Sequence, residues 1–135
     1  MWRNKITFIA NTNKHIIMMP PASNDDIITL TSTLGDIPES LIVFLLEING
    51  DCYFFLSVEQ IIETNLLLRS IDTYMPLDCL LFFATNGCGD YFGYQIRKNG
   101  INANRIYFWD HESDNRIYVA SSLEEVFDRY FKNEI

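Results

Sequence analysis

The chain has 135 residues, 48% hydrophobic and 21% charged, with Lys+Arg 10 against Asp+Glu 18 and a net charge of -8 at pH 7. That balance is globular: it excludes a disordered or fibrous chain, and the length suffices to bury a core without disulfide or metal. So acidic a chain is a poor binder of DNA or RNA, whose phosphates need cationic side chains, and a fair match for a basic partner.

Residues 1–22 carry the weakest pattern. Lys5 to Ala10 is apolar enough to pack, and Pro20-Pro21 breaks any regular element, so residues 1–19 are expected as a docked N-terminal arm of one domain spanning 1–135. Ser23 or Asn24 caps a first helix whose stripe is Ile27, Leu30 and Leu34, with Asp25 and Asp26 at its positive end and Gly35 after it. Pro38 and Glu39 suit the first turn of a second helix, striped by Leu41, Phe44, Leu45 and Ile48 and stopped by Asn49-Gly50. Tyr53 to Leu56 reads as a short strand, and Ser57 with Gln60 forms a capping box that opens a third helix through Ile61 and Ile62. A loop over 71–77 ends at Pro76, and Cys79 to Ala84 is a continuous apolar run suited to a central strand covered on both faces.

Asn86-Gly87 signals a turn, with Gly89 beside it for backbone freedom. Beyond it Phe92, Tyr94 and Ile96 alternate with Tyr91, Gly93 and Gln95, which predicts a hairpin. Asn99-Gly100 turns the chain into a strand at Arg105–Trp109. A polar loop from His111 to Asn115 leads to another at Arg116–Ala120. Ser122 with Glu125 reads as a second capping box, opening a helix that buries Leu123, Val126, Phe127, Tyr130 and Phe131. Helices, then strands, then a helix imply an α+β fold with a mainly antiparallel sheet flanked by helices. No apolar run approaches membrane-spanning length, and no signal peptide is read, so a cytoplasmic location is expected. Cys52, Cys79 and Cys88 lack CxxC spacing and are expected as free thiols.

Chemistry concentrates in Asp110, His111, Glu112 and Asp114, with Asp90 and Tyr91 in the preceding hairpin. The residue types suit a divalent cation, but neighbours 110 and 111 point to opposite faces of a strand and no zinc spacing supports them, so no metal and no cofactor is expected. Cys88 with His111 is a thiol–imidazole pair only if the fold joins them, which leaves a small hydrolase as one rival reading. Gly87-Cys88-Gly89 lacks the lysine and following helix of a phosphate loop. Trp109 has two readings, a core residue with a hydrogen-bonded indole or a partner anchor. No catalytic set emerges.

Four segments in order carry a family resemblance: Leu34-Gly35-Asp36-Ile37-Pro38-Glu39-Ser40-Leu41 with Asn49-Gly50, then Asn86-Gly87-Cys88-Gly89-Asp90, Trp109-Asp110-His111-Glu112, and Ala120 to Phe127. Together, from about Pro20 to Phe131, the chain resembles the SUKH superfamily, named in part for yeast cell-wall regulators. The resemblance implies a non-catalytic bacterial immunity protein that binds and neutralises a polymorphic toxin domain, often a nuclease. The alternative it allows is a general interaction scaffold without a toxin. It implies no catalytic residues. The candidate partner-binding residues are Trp109, Asp110, His111, Glu112, Asp114, Asp90 and Tyr91, with Asn86, Gly87 and Gly89 as the structural turn. The expected partner is a protein toxin with a basic nuclease domain, not a nucleic acid or a membrane.

Overall fold

The computed structural model describes residues 1–135. Its elements run α1 (Trp2–Ala10), α2 (Asn24–Leu34), α3 (Glu39–Glu47), α4 (Val58–Arg69), β1 (Leu80–Thr85), β2 (Tyr91–Arg97), β3 (Gly100–Asp110), β4 (Asn115–Ala120) and α5 (Leu123–Phe131). The strands form one antiparallel sheet in the order β1-β2-β3-β4, and with its flanking helices the architecture is the expected α+β. A cluster of 25 buried residues fills one side of the sheet, reaching from Trp2 through Phe44 and Phe55 to Phe127. A smaller cluster of Leu68, Leu77, Leu80, Phe82 and Trp109 lies on the other side.

Local chemistry starts the helices. Ser23 accepts the Asp26 N–H while the Asp26 carboxylate accepts the Ser23 N–H, and Ser57 with Gln60 does the same for α4. At α5 Ser122 accepts the Glu125 N–H, but the Glu125 carboxylate turns to the Ser121 N–H and hydroxyl, so the expected second capping box closes one residue early.

Three elements differ from expectation. Within the expected arm, residues 2–10 form a helix that the sequence pattern did not assign. Trp2 is buried, and its ring stands edge-on to Phe44, Phe55 and Phe127 at 5.1, 5.5 and 5.7 Å. Tyr53 to Leu56 is not a strand, and only Phe55 bridges to Ala84. The cause is Asp51, whose Oδ1 accepts the N–H groups of Tyr53, Phe54 and Phe55 and so curls the backbone that a ladder would need extended. Finally, β3 begins at Gly100. Ile101 and Asn102 pair with Ile96 and Gln95, and the ladder resumes at Ile106 opposite Tyr94, leaving Ala103, Asn104 and Arg105 as an unpaired bulge.

The two edges of the sheet are treated differently. The outer edge of β1 is closed: the Asn65 amide donates to the Phe82 carbonyl and accepts its N–H, while Leu56 N–H donates to Phe83 and Thr85 N–H to Phe54. The outer edge of β4 is covered only at its end, where Arg129 donates to the Val119 carbonyl. Residues Asn115 to Tyr118 have no strand or loop backbone bonded beyond them.

Candidate partner-binding site

In an up-and-down antiparallel sheet the β1–β2 and β3–β4 connections share one end. That end gathers nearly every residue singled out in the sequence. Gly87 and Gly89 both have positive φ, +79° and +90°. The Thr85 hydroxyl accepts the Gly87 N–H, and Asn86 Oδ1 accepts the Cys88 N–H. A Cβ on Gly89 would stand 3.0–3.3 Å from the His111 ring, so this glycine also makes room for the imidazole.

Asp90 ties the two turns together. Its Oδ1 accepts the His111 N–H at 2.9 Å and lies 2.7 Å from His111 Nδ1, while Oδ2 accepts the Asn86 side-chain amide at 3.0 Å. Partial burial works against the Asp90 charge. The His111 N–H, the Asn86 amide and the His111 ring outweigh it and hold the carboxyl below its ordinary value. The Asp90 hydrogen bond, outweighing some desolvation, holds the His111 imidazole above its ordinary value.

β3 ends at Asp110, so strand alternation no longer separates 110 from 111. Asp90, Asp110 and His111 each bring a ligand atom within 4.8 Å of the others, correcting the expectation that Asp110 and His111 diverge. Both Asp90 oxygens and His111 Nδ1 already have partners, and Asp110 Oδ1 accepts the Glu112 N–H. A hard cation there would have to displace those donors. His111 Nδ1 faces Asp90 rather than the Cys88 thiol, which is exposed on the turn.

Trp109 belongs to the interior of this end, and the half-buried Asp114 is committed to holding it there. Trp109 is 1% exposed and cannot reach a partner without unfolding, which corrects its place among surface anchors. Its ring packs on Tyr74 and Phe82, and its Nε1 donates to Asp114 Oδ1 at 2.7 Å. Asp114, at φ 58°, also accepts the Met75 N–H and a bond from Arg116. Partial burial opposes its charge, yet these donors hold the carboxyl low. Tyr91 is half-buried beside Trp109 and Phe82. The accessible part of the site is therefore the exposed Glu112 with the half-buried Asp110 and His111, and Cys88 and Gly89 exposed on the adjoining turn.

Sequence reasoning missed Asn65, Asp51 and Arg105. The first two work through backbone groups distant or curled in ways no periodicity reveals. For Arg105 a signal existed: the stretch 91–109 holds Arg97, Lys98 and Arg105 and no acid.

No helix is long and apolar enough to cross a membrane. No curated protein matches the chain. The family model described as SMI1 / KNR4 family (SUKH-1) matches residues 21–129, from the start of the first capped helix into α5. It spans both turns of the acidic end, and the chain belongs to that SUKH family.

Proposed function

We propose that the chain is a non-catalytic immunity protein that binds a cognate polymorphic toxin domain, a basic nuclease, and keeps substrate out of its cleft. Family membership and the net charge of -8 support this reading. The observation that carries it is the pair of turns locked by Asp90 and His111, which offers the Asp110 and Glu112 carboxylates on a fixed frame. Carboxylates on such a frame mimic the phosphates a nuclease cleft is built to hold. Their field speeds encounter, and association of about 10⁸ M⁻¹s⁻¹ is expected at low salt.

The test is binding kinetics with a candidate basic nuclease toxin domain, sought among the products of neighbouring genes. Asp110→Asn with Glu112→Gln is expected to slow association and flatten its salt dependence, with dissociation changing less. Asp114 is left intact in this pair because its carboxylate serves Trp109 and Arg116. Association at the parent's rate and salt dependence would move the recognition surface elsewhere. No binding at all would favour a general interaction scaffold of the same fold.

A further inference from the structure

A second surface lies away from the acidic turns and has the opposite character. It is the outer part of the sheet face beyond the small core, around Arg105, Tyr107 and Tyr118. Within a chain of net charge -8, residues 91–109 carry three cations and no acid. None of Arg97, Lys98 and Arg105 forms an ion pair; of the ten lysines and arginines only Lys5, Arg116 and Arg129 do. The bulge at 103–105 puts Arg105 where a regular ladder would not. Its guanidinium lies over the Tyr118 ring at 4.7 Å and near the Tyr107 ring at 5.8 Å. Its Nη2 donates to the Tyr107 hydroxyl, and its Nε is buried with no partner. A guanidinium held against two rings with no carboxylate beside it is a cation that an anionic side chain can still meet.

The adjoining backbone has a demand of its own. Tyr118 belongs to β4, whose outer edge is open from Asn115 to Tyr118, and Ile117 and Tyr118 are 54% and 45% exposed. An added strand would lie about 4.8 Å outside β4, one strand spacing from the backbone of Tyr118, whose ring carries the guanidinium. A side chain on the Arg105 face of that strand then meets the cation.

The geometry points to an extended acidic segment of a partner protein as occupant, added antiparallel or parallel to β4 as a fifth strand. Main-chain bonds along 115–118 hold it, and a Glu or Asp side chain meets Arg105 above Tyr118. Cationic and aromatic side chains also suit single-stranded nucleic acid, but a long polyanion is repelled by the rest of this molecule, and bases do not use an open strand edge. The surface is separate from the acidic turns and does not depend on the toxin reading.

The experiment titrates the full isotopically labelled chain with a synthetic peptide of alternating Glu and Val, and with versions carrying Gln or Lys in place of Glu. Amide shifts and amide hydrogen exchange are followed at 115–118. The Glu peptide is expected to protect those amides, to bind about tenfold tighter than the Gln version, and to lose that advantage in Arg105→Gln, while the Lys version does not bind. Unchanged melting of Arg105→Gln shows that the fold persists, and Tyr118→Ser, on the exposed edge, is expected to weaken the same peptide. Equal affinity for the Glu and Lys versions, or no response at 115–118 at about 1 mM peptide, overturns the proposal. So does oligothymidine binding at these residues without a response to the Glu peptide, or concentration-dependent pairing of the chain with itself that the peptide cannot compete.

Discussion

His111 shows how one side chain reports on a whole turn. Its folded value is raised above 6.5, so the stability it adds is complete below 6.5 and fades as pH rises through the folded value. Asp90 is held below 3.8, so its contribution is complete above 3.8 and is lost as pH falls through its folded value. Both are present together between 3.8 and 6.5. The difference in Tm between the parent and Asp90→Asn is expected to be largest in that window and smaller at alkaline pH. In an NMR titration, His111 is expected to titrate above its ordinary value in the parent and to fall toward it in Asp90→Asn; an unmoved titration would mean that the pair does not form. Trp109 makes a different kind of residue-scale prediction. Because it is buried and bonded to Asp114, Trp109→Ala is expected to cost about 3–5 kcal/mol in denaturant unfolding. A surface anchor would instead weaken binding and leave unfolding near the parent's.

At the scale of elements, the β1–β2 turn separates two uses of glycine. Gly87 has open space around its Cα, so Gly87→Ala meets only the left-handed backbone strain of about 1–2 kcal/mol. Gly89→Ala adds a collision with the His111 ring, and is expected to melt lower and to shift the His111 resonances while Gly87→Ala does not. Equal melting of the two variants would remove the ring contact from the account. Both glycines were legible in the sequence, as were α2, α4 and α5, because their caps lie within a few residues of the helices they start. α1 was not legible. Its first turn has no side-chain cap of its own; the Arg3 N–H is met by the Glu47 carboxylate at the end of α3, and the helix rests on the docking of Trp2. The apolar run Tyr53 to Leu56 looked like a strand because periodicity sees side chains. Asp51 decided the matter by capturing backbone N–H groups instead. The candidate site was legible as a set of residues but not as layers: nothing local tells the buried Trp109 from the exposed Glu112, or the half-buried Asp114, whose carboxylate is taken up by Trp109, Met75 and Arg116, from the half-buried Asp110.

The whole molecule is held from its first helix to its last. Trp2 touches rings from α3, from the loop after it, and from α5, so Trp2→Ala is expected to cost about 3–5 kcal/mol and to lower Tm in one cooperative transition. Loss of α1 contacts alone, with the remaining near-UV signal unchanged, would show instead that the helix is an accessory. Charge is laid out along the strands in the same global way. The turns joining β1 to β2 and β3 to β4 carry Asp90, Asp110 and Glu112, while Arg97 and Lys98 sit at the opposite end of the sheet. The unequal edges of that sheet bear on solubility. Asn65 and the backbone of Phe54 and Leu56 stand in for a neighbouring strand along β1, so a sheet built from this chain has one side on which it can grow and one on which it cannot. Two copies meeting edge to edge through β4 would complete an isologous pair whose outer margins are both sealed, and a single foreign strand would use up the same margin. Either way growth stops after one step. A fibre needs two open margins on every subunit, and one asparagine side chain with the backbone of residues 54–56 removes one of them.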